Sequence, residues 1–591
     1  MKHGFFYAFL CVVLLWGCAK QIPDGPQPPE EEPDGGSHPT LFADRAAFAA
    51  YREKLAATEA DAPLRQFHDI AMQYADDVLS GKDKAPAYTL DASALRILTT
   101  ASAPAERQLL ACSYAYRLTG DARYLDKAAE LLRLVCGFAD WNAYRHMLDA
   151  AEMAVGVAVA YDWLYEELDE ETRALARQGL YSFVLAPHLA AYRADGVYAS
   201  GHVSKNYLEA TNNWNQVCCA GVTIAALALR EEYPEETQRI VDQCVRSVKA
   251  QTPAMYGAMG NYPEGPGYWA YGTGCQCIMA AALASATGSD EGVASVTGMA
   301  KTPQYQLYMD DLSVSQQFNY CDAGAAMSIG LPMFFFAAYW EMPSYLYHEL
   351  QKKDLYASNK YGGRLFPLFL ICSAGLDWEG ITPPEGCLYQ GSGVQPVCVA
   401  RTGWTGLPSD RYLGIKAGTA YASHAHMDVG SFVYDAGGVR WSCDPGNTSY
   451  TSYEASAPAK AGAPIGSSQQ SLRWWMNLYN NKHHSTLSCA DADGNPYFHK
   501  VGTNVARASL STVQTEESLG ATVDFAGNGT LSTWLSACTR TLTIEAQDYL
   551  QCVDALQAGA ADCNIQWRMC TGAAVTVEPG RIRLEQDGQT A

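Results

Sequence analysis

The side chains best suited to acid–base chemistry or metal binding lie in three short segments of this sequence. The first is TNNWNQ at residues 211–216, which has three asparagines in four positions just ahead of an apolar run. Asparagine disfavours a helix interior but suits a helix N-terminus, so a simple helix cap explains the segment as well as a function does. The functional alternative is a neutral amide that hydrogen-bonds an anionic group of a substrate.

The second segment is NYPEGPGYWAY at residues 261–271. Its prolines and glycines predict a rigid loop, and loops on a stable scaffold commonly carry function. Aromatic packing against the rest of the protein explains two of the four aromatic residues but explains a glutamate among them poorly. The loop is expected to present four aromatic side chains around that glutamate: Tyr262, Tyr268, Trp269 and Tyr271 around Glu264.

The third segment is SHAHMD at residues 423–428. In a strand, His424, His426 and Asp428 would share one face. Two histidines on one face form half of a metal site or an acid–base pair. Asp444 and His484 lie downstream and offer further ligands, a set of nitrogen and oxygen donors that suits Zn²⁺. The alternative is a set of ordinary polar residues on a solvated sheet face.

The elements that must position these segments change type along the chain. From residue 39 to residue 375 apolar residues recur at helical spacing, as at 105–118 and 125–135, and Gly120 and Asp121 between them predict a helical hairpin. A series of such hairpins predicts a helical toroid or solenoid. Further helices are predicted at 148–168, 170–184, 217–231 and 235–251.

From about residue 395 the sequence favours antiparallel strands. Residues 431–441 predict two strands joined at Gly437-Gly438, residues 520–525 predict another strand, and residues 539–553 alternate polar and apolar side chains. A large antiparallel sheet domain is therefore predicted.

The N-terminus is typical of an exported protein. Lys2 precedes an apolar run at residues 5–16, which is too short to span a bilayer, and the run ends in a Leu-Trp-Gly-Cys segment that resembles a bacterial lipobox. We expect lipidation at Cys18, followed by an extended acidic, proline-rich tether. The location predicted is the periplasm or outer membrane of a Gram-negative bacterium, with a plain secretory signal as the alternative. The predicted parts are a signal peptide at 1–17, the tether at 18–38, the helical domain at 39–375, a linker at 376–394 and the sheet domain at 395–591.

Charge and cysteine content exclude some classes of protein. The 591 residues carry 41 Lys and Arg against 63 Asp and Glu, a formal net charge of −22, which argues against nucleic acid as a partner. The 19 cysteines include no CxxC pair, and most are expected to be buried as small apolar residues rather than joined in disulfides. The acidity also mildly favours a less sulfated or unsulfated partner over a densely sulfated one.

Four strings in this order, NNWNQV, YPEGPGYW, SHAHMDVGSFVYDAGGVRW and HHSTL, resemble the heparinase II/III-like polysaccharide lyases. The resemblance extends from about Leu41 to the C-terminus. It implies an α+β multidomain chain, with an N-terminal incomplete (α/α) toroid followed by a C-terminal antiparallel β-sandwich. It also implies β-elimination at a polysaccharide that contains uronic acid, either a glycosaminoglycan or another glycuronan.

The resemblance also implies roles for individual residues. Asn213 would neutralise the uronate carboxylate, with Asn212 and Asn215 as competitors, and Tyr268 and His424 would act as base and acid. A structural Zn²⁺ would be bound by His426, Asp444 and His484, with His483 as a rival to His484. Expected substrate contacts are Asn212, Glu264, Trp269, Tyr271 and Arg401; further candidate anion contacts are Lys205, Arg411, Arg440 and Arg473.

Two other functions stay open. A surface lipoprotein that binds glycans without cleaving them would keep the cleft of the toroid, although the tyrosine, asparagine and histidine are all present here. A glycoside hydrolase on an (α/α) toroid would need two convergent carboxylates. Glu264 could supply one of them, and Asp428 is the candidate for the other.

Overall fold

The structure, a computed structural model, describes residues 38–91, 95–193, 197–198, 201–202, 205–358, 362–448, 456–525 and 530–591. The predicted signal peptide, Cys18 and the tether up to residue 37 lie outside the described residues. Within the described part, no helix combines the length and apolar character needed to cross a membrane.

The chain forms two compact units that are not contiguous in sequence. The helical unit comprises the described residues within Met1–Gln251, Tyr271–Val296 and Ile329–Ile381. The sheet unit comprises Thr252–Ala270, Thr297–Ser328 and Thr382–Ala591. Two segments from within the predicted helical domain therefore belong to the sheet unit, and these two segments carry Glu264, Tyr268 and Asp322.

The helical unit is a succession of helices joined by short turns, as the apolar spacing predicts. The predicted hairpin is present, because Gly120 adopts a φ of 68° at the end of the first helix and the Asp121 side chain accepts a hydrogen bond from the Arg123 backbone N–H at 3.0 Å. The principal helices are Arg45–Ala57, Pro63–Leu79, Ala103–Thr119, Ala122–Cys136, Met147–Trp163, Glu170–Leu180, Asn213–Ala228, Pro234–Met255 and Pro266–Thr287. Shorter ones are Ala186–Ala191, Asn206–Glu209, Pro332–Tyr339, Tyr347–Gln351, Lys353–Ser358 and Phe366–Cys372.

Helix Met147–Trp163 is the centre of this unit, and all of its side chains are buried. Two glycines let neighbouring helices come into backbone contact with it. A Cβ on Gly221 would lie 2.2 Å from the Ala151 carbonyl oxygen, and a Cβ on Gly156 would lie 2.6 Å from the Glu106 Cα. Substitution at either glycine would force the helices apart.

A buried cluster of charges also lies in the helical unit. The Arg364 guanidinium binds Glu152 through two nitrogens at 2.6 and 2.7 Å, and its Nε lies 3.0 Å from Glu106 Oε2. Tyr271 donates a hydrogen bond to Glu152. Burial raises the pKa of Glu106 to about 8, opposed by the charge of Arg364 and aided by that of Glu152.

This raised pKa predicts a pH-dependent stability. Between the ordinary pKa of a glutamate and a pH of about 8, the folded state holds a proton on Glu106 that the unfolded state has lost, so stability falls as pH rises through that window. Glu106→Gln removes the ionisable group and with it this loss of stability at high pH. We expect the variant to match the wild type near pH 5 and to be more stable at pH 8.5 by on the order of 2 kcal/mol, measured by urea unfolding.

The exposed Glu170, on another helix of the same unit, provides the control. Glu170→Gln should leave the difference between pH 5 and pH 8.5 as it is in the wild type, because the side chain of Glu170 is 69% exposed. An equal change in stability at both pH values in Glu106→Gln would contradict the prediction.

The sheet unit is built on two antiparallel sheets. The first contains, in sequence order, Leu388–Gln390, Val397–Arg401, Tyr412–Lys416, Phe432–Ala436 and Val439–Ser442. The second contains Ser509–Gln514, Ser518–Asp524, Leu535–Glu545 and Tyr549–Ala558. Side chains from both sheets, among them Leu413 and Leu542, share one buried core, so the two sheets form a sandwich. In smaller sheets, Leu487–Ala490 pairs with Asn564–Trp567, and Arg581–Gln586 lies between Ala574–Glu578 and Gln589–Thr590.

The predicted hairpin at 431–441 is confirmed. Its turn residues Gly437 and Gly438 have φ values of 66° and 77°, which a two-residue turn of type I′ requires. The alternating run at 539–553 divides into two strands, because Ala546 and Gln547 also adopt positive φ values and reverse the chain.

Candidate active site

The segment that carries Glu264 and Tyr268 is part loop and part helix. The prediction of a loop through residue 271 is wrong, because helix Pro266–Thr287 begins at Pro266 and places Tyr268 in its first turn. Proline is well suited to the first position of a helix, where its missing N–H is not needed. Gly265 has a φ of 88°, and a Cβ there would lie 2.4 Å from the Tyr320 carbonyl oxygen. The Gly-Pro pair therefore sets the direction in which Tyr268 leaves the loop.

The segment that carries His424 is not a strand, so the alternation used to predict a shared face for residues 424, 426 and 428 is wrong. Residues 421–430 form turns and irregular structure, and His424 adopts a φ of 61°. Arg473 holds this loop, donating to the His424 carbonyl at 3.1 Å and to the Ala425 carbonyl at 3.3 Å. Asp428 binds the Lys416 Nζ at 2.6 Å, with both side chains fully buried.

Tyr268 and His424 are in direct contact. Their rings stack with centroids 3.8 Å apart and planes inclined by 18°. The His424 Nε2 atom also lies 3.4 Å from Glu264 Oε1, and the His424 side chain is 19% exposed. The structure thus brings together a phenol, an imidazole that solvent can reach, and a carboxylate.

Asp322 is the residue at this site that the sequence prediction missed. Its Oδ2 accepts a hydrogen bond from His424 Nδ1 at 2.8 Å, and its Oδ1 accepts from His426 Nε2 at 2.9 Å. The Arg473 Nη2 donates to the same Oδ1 at 2.6 Å. Burial alone would raise the pKa of Asp322, but hydrogen bonds from both histidines and the charge of Arg473 hold that pKa well below its usual range. The carboxylate is therefore ionised.

The predicted zinc ligands are neighbours in the sheet unit. The rings of His426 and His484 have centroids 5.5 Å apart, and His484 Nδ1 lies 3.2 Å from Asp444 Oδ2 without hydrogen-bond geometry. His484 is fully buried, while the rival His483 is partly exposed. No three His, Cys, Asp or Glu side chains of the described chain are already arranged as a metal site.

The residues nevertheless fit a zinc ion on chemical grounds. His426 Nδ1 and both ring nitrogens of His484 are buried and make no hydrogen bond. Burial lowers the pKa of His426, whereas the charge of Asp444 raises that of His484 against the effect of burial. Buried polar atoms without partners are uncommon in folded proteins, and imidazole nitrogens beside a carboxylate are a donor set that zinc accepts.

The asparagine segment lies in the helical unit, and its three asparagines have different environments. Asn212 is the helix N-cap and accepts a hydrogen bond from the Trp214 backbone N–H at 3.2 Å. Asn215 is fully buried and donates to Ser247 Oγ at 2.8 Å. Asn213, the first residue of helix Asn213–Ala228, is 3% exposed. Helix capping and packing therefore account for the side chains of Asn212 and Asn215 without a substrate.

A cavity of about 400 Å³ opens beside this segment. Its wall combines two half-buried aromatic rings, Tyr144 and Trp214, with the exposed guanidinium of Arg145, which lies 4.9 Å from the centre of the Tyr144 ring. Aromatic faces, a cation and side-chain amides are the groups that bind an anionic sugar. The remaining lining residues are Ala143, Met147, Asn206, Tyr207, Ala210 and Asn212.

Several predicted substrate contacts are closed to solvent. Trp269 is fully buried and donates to Thr302 Oγ1 at 2.7 Å. Arg401 is 1% exposed and stacks on Trp404, so neither Trp269 nor Arg401 can reach a bound glycan in this conformation. The Tyr271 hydroxyl is engaged by Glu152. The other cations predicted to contact anions are paired: Lys205 with Glu209, Arg411 with Asp548, Arg440 with Asp435 and Arg473 with Asp322.

Solved structures share this architecture at low sequence identity. A mutant of heparan sulfate lyase HepC from Pedobacter heparinus is 14% identical over 92% of this chain and 79% of its own, with a TM-score of 0.51. The chain has the fold of heparinase III-like lyases. Its helical unit corresponds to the incomplete (α/α) toroid and its sheet unit to the antiparallel β-sandwich, as predicted.

Two further structures are similar to a lesser degree. A heparinase III is 14% identical over 82% of this chain and 68% of its own, with a TM-score of 0.48. A chondroitin AC lyase from Streptomyces coelicolor A3, in complex with chondroitin sulphate, is 13% identical over 91% of this chain and 74% of its own, with a TM-score of 0.49. No family model matches the chain, and no curated protein matches it in sequence.

Proposed function

We propose that this protein is a polysaccharide lyase that cleaves a uronic-acid-containing glycan by β-elimination. The observation that carries the proposal is the stacked pair of Tyr268 and His424, with His424 Nδ1 bound to an ionised Asp322. A fold shared with a heparan sulfate lyase supports the same reaction class.

The pair supplies the groups that β-elimination needs. The reaction removes the proton from C5 of a uronate, breaks the bond between C4 and the leaving oxygen, forms a C4–C5 double bond and returns a proton to that oxygen. Because Asp322 accepts from Nδ1, it is the Nε2 of His424, 3.4 Å from Glu264 Oε1, that would take or give a proton at the substrate. A free tyrosine has a pKa of ~10, so acting as a base at neutral pH costs roughly 4 kcal/mol unless its surroundings help. His424 as base and Tyr268 as acid avoids that cost, and because their rings are stacked the two groups would act from the same side of the sugar.

The acidity of C5 must also be increased, and we assign this role to Asn213. A hydrogen bond from its amide to the uronate carboxylate would stabilise the charge that develops as the proton leaves. The cavity beside Asn212, with Arg145, Tyr144 and Trp214 in its wall, supports an anionic sugar as the ligand of the helical unit. A second cavity of about 300 Å³ in the sheet unit is lined only by uncharged residues, among them Tyr421, Ser423 and Ser467. This favours a sparsely sulfated glycan.

We further propose that His426, Asp444 and His484 hold a structural Zn²⁺. When bound, the ion would supply charge and rigidity to the loop of His426 rather than an activated water. His426, two residues after His424, would then help to fix the position of the catalytic ring.

Export with a lipid anchor at Cys18 is also part of the proposal. We expect the expressed protein to be labelled by a fatty acid, and Cys18→Ala to abolish that labelling.

A glycoside hydrolase is the second candidate, because two carboxylates, Glu264 and Asp322, flank His424. Neither suits hydrolysis. Asp322 is buried and already accepts three hydrogen bonds, which leaves Glu264 without the second carboxylate that hydrolysis needs. Asp428, the partner predicted from the sequence, is fully buried against Lys416.

The decisive experiment is a panel of uronic-acid polysaccharides, comprising glycosaminoglycans, alginate and other glycuronans, incubated with the full protein. We expect new ultraviolet absorbance from an unsaturated uronate and products with the mass of the glycan fragment without added water. Products larger by one water and without absorbance would indicate a hydrolase. Binding without any product across the panel would indicate a glycan-binding protein.

A further inference from the structure

Asp322 joins the two histidines of the SHAHMD segment through one carboxylate. Its two oxygens receive three donors, namely His424 Nδ1 at 2.8 Å, His426 Nε2 at 2.9 Å and Arg473 Nη2 at 2.6 Å. The Asp322 side chain is 1% exposed, so water does not compete for these bonds. The two imidazoles share a partner although their segment is not a strand.

The chemistry of a carboxylate sets the tautomer of each ring. Carboxylate oxygens accept hydrogen bonds, and both oxygens of Asp322 face nitrogen donors here, so His424 carries its hydrogen on Nδ1 and His426 carries its hydrogen on Nε2. The ring nitrogen that does not bind Asp322 is therefore a different atom in the two histidines. In His424 the remaining nitrogen is Nε2, near Glu264, and in His426 it is Nδ1, the buried atom that lacks a hydrogen bond. One residue thus prepares one ring for proton transfer and the other for metal binding.

The residues that precede Asp322 bind the loop that carries Glu264. The nearby Tyr320 donates its hydroxyl hydrogen to the Tyr262 carbonyl at 2.7 Å, and its hydroxyl oxygen lies 2.8 Å from that of Tyr305. The Cys321 thiol lies 3.5 Å from the Pro263 carbonyl oxygen. Because the loop of Asp322 is fastened to the loop that leads into Tyr268, the carboxylate is fixed relative to both members of the stacked pair.

We propose that Asp322 is the positioning residue of this centre, fixing the ring orientation and tautomer of His424 for proton transfer and of His426 for zinc. The His424 part rests on the proposed lyase function. The His426 part does not, because it concerns metal affinity and ring tautomers that can be measured without a substrate.

The test compares Asp322→Asn with Asp435→Asn. The amide introduced by Asp322→Asn keeps the size of the side chain but offers one acceptor where three donors converge. We expect kcat to fall about 100-fold or more with KM within a factor of three, on the glycan that the wild type cleaves. We also expect Zn²⁺ affinity, measured by competition with a chromophoric chelator, to fall by about 10- to 100-fold.

Asp435 is equally buried and binds Arg440 through both oxygens, but it contacts neither histidine. Asp435→Asn should lose stability and keep kcat and zinc affinity.

A wild-type measurement keeps the proposal testable if Asp322→Asn does not fold. Long-range ¹H–¹⁵N spectra of protein labelled at histidine should show a protonated Nδ1 for His424 and a protonated Nε2 for His426, assigned by loss of signals in His424→Ala and His426→Ala. The opposite tautomer at either ring would overturn the proposal. So would a folded Asp322→Asn with normal kcat and normal zinc affinity. If the wild type cleaves no glycan, the lyase function fails, but the zinc and tautomer results still decide the role of Asp322.

Discussion

Tyr268→Phe is expected to lose nearly all turnover, by about 1,000-fold or more in kcat, while substrate binding and the fold remain. The phenylalanine ring keeps the stack on His424, whose centroid separation is 3.8 Å, so the imidazole stays in place. Only the hydroxyl is removed, and with it the group that donates a proton to the leaving oxygen or removes one from C5. Absorbance of the unsaturated product gives kcat, and calorimetric titration with the same glycan gives the affinity.

Tyr497→Phe is the matched control. Tyr497 lies in the same unit, is 41% exposed and stacks on Trp534 rather than on a histidine. It should retain full activity. A Tyr268→Phe variant with near-normal kcat would remove Tyr268 from the mechanism, whereas parallel loss of affinity and thermal stability would show that the tyrosine acts in packing.

The sequence predicted helix ends and turns correctly where the conformation depends on residues next to one another in the chain. Gly120 and Asp121 ended one helix and capped the next because a left-handed residue and a side-chain acceptor act within one turn. Gly437-Gly438 reverses the chain in a hairpin because both glycines adopt positive φ values. The order of helical and sheet regions followed from the change in apolar spacing.

The failures arose where distant contacts decide the outcome. SHAHMD alternates like a strand, but the Arg473 guanidinium binds the carbonyls of His424 and Ala425 and holds the segment as a loop. The rings of the two histidines meet because both donate a hydrogen bond to Asp322, which lies more than 100 residues earlier in the chain. No spacing rule could have found that carboxylate, since its sequence context, NYCDAG, contains no motif.

The aromatic segment failed for a different reason. The prolines and glycines of the segment predict a loop, whereas Pro266 occupies the first position of a helix, which proline favours. The sequence therefore predicted the presence of Tyr268 near a catalytic loop but not its place in the first turn of a helix. Burial was also unpredictable from composition: Trp269 and Arg401 are residue types that bind glycans, yet tertiary packing closes both to solvent.

Removal of zinc is expected to lower thermal stability and activity together. Without a metal ion, His426 Nδ1 and both nitrogens of His484 are buried without a hydrogen bond, and each such group costs about 1–3 kcal/mol. Relief of part of that cost by a bound ion corresponds to a rise in Tm on the order of 10 °C for a unit of this size. Chelation should therefore lower the Tm by a similar amount, and added Zn²⁺ should restore it.

The adjacent histidines supply the variants that test the assignment. His484→Ala should abolish zinc retention, measured as metal content after dialysis, and should show the low Tm whether or not a chelator is present. His483 is partly exposed, and its pKa is lowered by partial burial and by the charge of Arg568 rather than by a carboxylate partner. His483→Ala should therefore keep both the metal and the high Tm. An unchanged Tm after complete removal of metal from the wild type would exclude a structural ion. Zinc loss in His483→Ala but not in His484→Ala would transfer the ligand role to His483.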